Sequence, residues 1–223
     1  MRERVVVSWS GGKDSALALH AIAADCEVAA LLTTVTEGYD RVSMHGVRHA
    51  LLVRQAERLA CPLTVVTIPQ HATNAEYESA MEAAFERFRG QGVTTVAFGD
   101  LFLADVRRYR EEWLARAGMT PVFPIWARNT RELAGEFIES GFQALLTCVD
   151  TRVLDASFAG RRFDRTLLAD LPETVDPCGE NGEFHTFVYD GPMFRREIPV
   201  VPGEVVRRDA WCFCDLRLAS ERG

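Results

Sequence analysis

Between Ser8 and Ser15 the chain reads SWSGGKDS: two glycines, an ammonium, a carboxylate and three serine hydroxyls in one short stretch. It follows the apolar run Val5-Val6-Val7 and precedes ALALHAIAA, which is spaced as a helix. A strand-to-helix turn of this composition suits a polyanion. Glycine has no Cβ, so the backbone can approach phosphate oxygens closely. The amides that open a helix point at the anion, and the helix dipole favours negative charge there. The reading assigns the amides of Gly11 and Gly12, the Lys13 ammonium and the hydroxyls of Ser10 and Ser15 to phosphates, with Ser8 beside them. Lys13 is the one lysine among 25 basic residues. A compact ammonium on a flexible stem enters a narrow phosphate site that a planar guanidinium would crowd. The bland alternative is that the surviving lysine fell here by chance. Asp14 is the carboxylate that could hold Mg²⁺, which takes one or two carboxylates together with phosphate oxygens and water; otherwise it caps the helix. The turn is neither a Walker loop, since Val7 stands where its first glycine would be and Asp14 follows the lysine, nor a G-x-G-x-x-G dinucleotide turn.

The elements that must position this turn follow from apolar periodicity. Near-continuous apolar runs recur at 4–8, 28–34, 63–68, 94–98 and 143–149, with amphipathic stretches at 14–24, 45–59, 74–90, 104–117 and 129–140. Such alternation predicts a parallel sheet covered on both faces, with right-handed crossovers: a doubly wound α/β domain. After Asp150 the rhythm changes. Residues 151–172 read as one irregular helical segment, followed by short strands at Thr186–Tyr189, Ile198–Val201 and Val205–Leu218. The expected organisation is a doubly wound α/β domain over 1–150, which carries the turn, and a smaller α+β subdomain over 151–223.

Composition narrows the function classes. The net charge is −7, which disfavours a nucleic-acid partner. No apolar run approaches the ~18 residues of a membrane span, and the N-terminus lacks the ~7–15-residue apolar core of a signal peptide. A cytoplasmic protein without a membrane partner is expected. None of the six cysteines forms a C-x-x-C pair, so zinc or redox use is poorly supported. Cys26, Cys61 and Cys148 read as core, and Cys212 and Cys214 as sharing one face of a strand.

SWSGGKDS resembles the PP-loop of the N-type ATP pyrophosphatases. Within that superfamily SMHGV (43–47), FGDLFLADVRRYREEWLARAGMTPVFPIW (98–126), FAGRRFD (158–164) and CGENGEFHTFVYDGPMF (178–194) resemble the diphthine–ammonia ligase family and its bacterial relatives. The resemblance covers roughly residues 4–200. Asn181 and His185 stand where the eukaryotic ligases typically read glycine and glutamate.

The resemblance implies a five-stranded parallel sheet in the order 3-2-1-4-5, ATP and Mg²⁺, and cleavage of ATP to AMP and pyrophosphate. A carboxylate, on a small molecule or a protein, is adenylated and then amidated by ammonia. On that frame Gly99 and Asp100 close the fourth strand and face the turn, although Asp100 could instead order its own loop. His45 could contact the substrate or the α-phosphate, or be a helix-start polar residue. Arg107 and Arg110, one helical turn apart, could grip an anionic substrate, or line a solvated face. Adenine would rest against backbone near Leu32 and Thr33. Glu180, Glu183 and His185 would complete the substrate and metal site, with Asp14 and Glu183 as candidate metal ligands. Glu183 or Glu180 could take the proton from ammonia, or the segment could anchor the subdomain. A homodimer is left open.

Three other readings compete. A tRNA-modifying PP-loop enzyme would share the turn, but thiolation generally wants paired reactive cysteines. A non-catalytic ATP sensor would not need the second acidic constellation at 178–185. Sulfate-activating reductase chemistry would need a C-terminal cysteine motif.

Overall fold

The computed structural model describes residues 2–38, 41 and 46–219. His45 lies outside the described residues. The chain divides into two units: Met1–Ser10, Asp14–Ser43 and Cys61–Ala127 form the first, and Gly11–Lys13, Met44–Ala60 and Arg128–Gly223 the second.

The first unit holds strands β1 (Glu3–Ser8), β2 (Cys26–Thr36), β3 (Leu63–Ile68), β4 (Thr95–Ala97) and β5 (Thr120–Val122). All pair in parallel, in the order β3-β2-β1-β4-β5, as expected. Helix α1 (Lys13–Ile22) continues from the turn after β1; α2 (His49–Leu59) belongs to the second unit, and α3 (Asn74–Gly90) and α4 (Ala104–Arg116) to the first. Val5, Val6 and Val7 are buried on both faces of the sheet, which is why β1 reads as an unbroken apolar run. Thr73 and Glu76 close a reciprocal capping box on α3. That helix then delivers Met81, Phe85 and Phe88 to a core shared with Val6, Leu32, Val96 and Trp113. Trp113 packs its ring 5.3 Å from Phe85 and 5.5 Å from Tyr77. Burying a side chain such as Phe85 contributes roughly 1.5–3 kcal/mol.

The second unit carries an antiparallel sheet of β6 (Gln143–Asp150), β7 (Phe184–Asp190), β8 (Val200–Arg208) and β9 (Trp211–Leu218), ordered β7-β6-β9-β8. With it go α2, α5 (Thr130–Glu139), a 3₁₀ turn at Ala156–Phe158 and α6 (Arg165–Asp170). Asn129 caps α5 and Asp164 caps α6 through side-chain oxygens. A row of rings crosses this unit: Phe142 against Phe137 at 4.9 Å, Phe137 against Phe163 at 5.4 Å, and Phe163 against Phe184 at 6.2 Å.

Several expectations about elements need correction. The run at 143–149 is a strand, but it pairs with β7 and β9 rather than in the parallel sheet. The fifth parallel position is taken by β5, three residues including Pro121, which an edge strand tolerates because one side of it needs no donor. α2 starts at His49, not 45, and Val53 on it is exposed. Residues 151–172 hold two short helical pieces rather than one segment, and the run from Val205 folds back at Asp209–Ala210 to divide between β8 and β9. Cys26 and Cys61 are only half-buried, whereas Cys148, Cys178, Cys212 and Cys214 are buried.

Candidate active site

In the first unit the carboxyl ends of β1 and β4 lie level, with Val7 beside Ala97, and Ser8 lies beside Leu32, four residues before the end of β2. Ligands of doubly wound sheets bind along this edge. Trp9 donates its amide to the Leu32 carbonyl at 2.7 Å, fixing the exit of β1. Beyond it Ser10 Oγ and Ser15 Oγ stand 3.2 Å apart, and Asp14 sits in the first turn of α1. Gly99, two residues past β4, presses against that same turn. A Cβ there would stand 2.6 Å from the carbonyl carbon and oxygen of Asp14 and 2.9 Å from the Ser15 amide nitrogen. Thr33 is buried next to Leu32, and its hydroxyl has no hydrogen-bond partner among the described residues.

Asp100 and Arg110 lie in this unit as an ion pair. Arg110 Nε is 2.7 Å from Asp100 Oδ2, out of line for a hydrogen bond, and Nη2 donates to Oδ1 at 3.2 Å. The Arg110 guanidinium also lies over Phe98, 4.3 Å from the ring centre. Arg107 is held between Phe123 and Trp126, at 4.8 and 4.7 Å, and its Nε donates to Glu111 at 2.7 Å. Both arginines therefore already have carboxylate and aromatic neighbours.

The middle of the turn, Gly11–Lys13, belongs to the second unit, where it is tied to β7. Val188 donates its amide to the Gly11 carbonyl at 2.9 Å. The Gln55 side-chain amide donates to the carbonyls of Gly11 and Val188, at 2.9 and 2.6 Å. The Lys13 amide donates to Thr186 Oγ1 at 3.0 Å. Lys13 is 2% exposed, and its ammonium lies 5.7 Å above the centre of the Phe184 ring, the end of the aromatic row. His185, stacked on Trp211, is held low at about 4, first by burial and then by the Lys13 charge, so its imidazole is neutral at pH 7.

The loop before β7 is ordered by its own carboxylates. Asp176 Oδ1 accepts from the amides of Cys178 and Glu180, and Oδ2 accepts from the Thr130 hydroxyl. Glu183 Oε1 accepts from the Asp176 amide and from Asn181 Nδ2, each at 3.0 Å. Its other oxygen, Oε2, is buried and has no hydrogen-bond partner among the described residues. No group of three or more His, Cys, Asp or Glu that could hold a metal occurs among the described residues. Burial pushes the Cys148 thiol up to about 12, and raises those of Cys61 and Cys214, so none is a ready thiolate.

Residues 3–121 match the diphthamide synthase N-terminal domain, and residues 129–221 match the diphthamide synthase C-terminal domain. The chain belongs to the diphthamide synthase family. The human diphthine–ammonia ligase is 30% identical over 94% of this chain and 87% of its own length. The Schizosaccharomyces pombe diphthine–ammonia ligase is 25% identical over 95% of this chain but 38% of its own length. These relatives are ligases, which supports a ligase-type enzyme here. A solved structure from Methanocaldococcus jannaschii, described as a predicted subunit of tRNA methyltransferase, aligns over 63% of this chain and 77% of that one, with 15% identity and a TM-score of 0.42, and carries no weight.

The geometry adds residues that the sequence reading passed over: Gln55, Thr186, Phe184 and Asp176. For Gln55 a signal existed. It falls in the buried stripe of α2 with Leu51, Leu52 and Ala56, where a polar side chain needs a partner.

Proposed function

We propose that this chain is an ATP-dependent, AMP- and pyrophosphate-forming ligase that adenylates a carboxylate and amidates it with ammonia. The observation that carries the reading is the turn from Ser8 to Ser15. It leaves the carboxyl end of the central strand β1 and opens α1, whose first residue is the chain's one lysine, buried.

In this reading ATP lies along the carboxyl edge of the parallel sheet. The backbone near Leu32 and the Thr33 hydroxyl receive the nucleoside, and Ser10, Gly11, Gly12, Lys13 and Ser15 receive the phosphates. A carboxylate oxygen attacks the α-phosphorus. The bond to the β-phosphate oxygen breaks, giving an acyl-adenylate and pyrophosphate. Ammonia then attacks the acyl carbon, AMP leaves, and the nitrogen loses a proton. Charge builds on pyrophosphate as it departs, and each preorganised donor aimed there is worth about 3–4 kcal/mol of barrier. Lys13 fits that role. Its neighbour His185, held neutral, adds no second cation beside it.

Mg²⁺ would arrive on the phosphates and need only one or two protein carboxylates. Asp14, in the first turn of α1, would supply one, and Mg²⁺ would offset phosphate charge. The similarity to diphthine–ammonia ligases makes diphthine the first carboxylate to offer. The test is product analysis with ATP, Mg²⁺, ammonium and candidate acids. Pyrophosphate formed only when the acid is present, and AMP turnover only when ammonium is added as well, support the reading; ADP and phosphate contradict it.

A further inference from the structure

We propose that Gln55 and Thr186 are positioning residues that hold the phosphate-binding turn in shape from outside; the inference rests on the nucleotide reading above. A turn with two adjacent glycines has little stiffness of its own, because glycine gives up the most conformational freedom on ordering. Rigidity must come from neighbours, and this turn has a specific set.

Gln55 is completely buried in α2, amid Leu51, Leu52 and Ala56. A methionine there would fill similar space without burying an amide, whose desolvation is costly unless its hydrogen bonds are made. The Gln55 Nε2 makes two, to Gly11 O and Val188 O, and Val188 N–H returns a third to Gly11 O. These bonds fix the Gly11 peptide in its left-handed conformation, at φ +80. A Cβ on Gly11 would stand 2.5 Å from Leu52 Cδ2 and 2.7 Å from Gln55 Oε1, so α2 packs directly on the turn.

Thr186 acts two residues further on. Lys13 is the first residue of α1, and Gly12 before it has no side chain to cap the helix. Thr186 Oγ1 accepts the Lys13 amide in the manner of a capping oxygen, across 173 residues of sequence. That amide is thereby spent on shaping the turn. The donors that remain for phosphate are set before the nucleotide arrives, which is what preorganised electrostatic stabilisation requires. Gln55 and Thr186 touch no reacting atom in this account; they act through Gly11 and Lys13.

The test pairs amide hydrogen exchange with ATP binding in Gln55→Met, Thr186→Val and Thr186→Ser. Exchange is read on a peptide spanning the turn and the start of α1, with a β3 peptide as the control for global opening. Removing one of these bonds should speed turn exchange, and weaken ATP, by about tenfold. Thr186→Ser keeps the oxygen and should behave as wild type, a rescue that loss of packing alone would not give. If Gln55→Met does not fold, the Thr186 pair decides. Unchanged turn exchange in the folded variants, or faster exchange with wild-type ATP affinity, overturns the proposal. Faster turn exchange in a protein whose wild type binds no ATP upholds the clamp and removes the nucleotide reading instead.

Discussion

Gly99→Ala adds one methyl group at the point where the segment after β4 meets the first turn of α1. Gly99 does not adopt the left-handed conformations that disfavour alanine, so the penalty is steric. The new Cβ would stand 2.6 Å from Asp14 backbone atoms, whereas ordinary contact begins near 3.4 Å. The two segments must therefore separate by about 0.8 Å, and no flexible side chain is available to absorb the movement. Overpacking of this kind costs ~1–3 kcal/mol, or about 2–12 °C of melting temperature at ~2–4 °C per kcal/mol. The displaced residues are Asp14 and Ser15, both assigned to the phosphate site. A shift near 1 Å in a positioned group lowers turnover about 10²-fold. The assay is thermal unfolding together with AMP release at saturating ATP. Gly99→Ala should melt lower and lose most of its turnover. A variant that melts and turns over like wild type would refute the close contact and the argument that the turn's position depends on it.

Gly135→Ala is the matching opposite: its Cβ meets nothing within 4 Å inside α5, so alanine should stabilise by ~0.5–1 kcal/mol through helix propensity, read as a higher urea midpoint. His185 binds its proton less readily in the fold than in the unfolded chain, so its contribution is complete above pH 6.5 and lost as pH falls towards about 4. The size follows from ~1.4 kcal/mol per pH unit, about 3 kcal/mol over that window; urea unfolding of His185→Asn should be flatter there than wild type, and equal slopes would contradict the assignment. Lys13→Arg puts a larger head into a site where the lysine is 2% exposed; it should fold, melt lower and release pyrophosphate about 10²-fold more slowly in a single-turnover assay.

The legible parts of this fold were those with strong local periodicity. β3 and α3 fall on the ranges that apolar spacing predicts, 63–68 and 74–90. β6 misled because seven of its eight residues are buried, and an apolar run looks the same in the middle of a parallel or an antiparallel sheet. β5 is too short, and too interrupted by Pro121, to show any period. At the site, the turn was legible because glycine, lysine and hydroxyl chemistry is local. Its supports were not: Gln55 reads at most as a buried polar residue in need of a partner, and Gln55 and Thr186 are far from Gly11 and Lys13 in sequence. Arg107 reads as an anion grip from helical spacing alone. Its aromatic neighbours Phe123 and Trp126 come from beyond α4, so only the folded chain reveals them.

The central claim is attack at the α-phosphorus by a carboxylate oxygen. The direct measurement uses an acid that supports turnover, labelled with ¹⁸O in its carboxyl group, with mass analysis of every phosphorus product. The account predicts one labelled oxygen in AMP and none in pyrophosphate. Label in inorganic phosphate, with ADP as the nucleotide product, would contradict it.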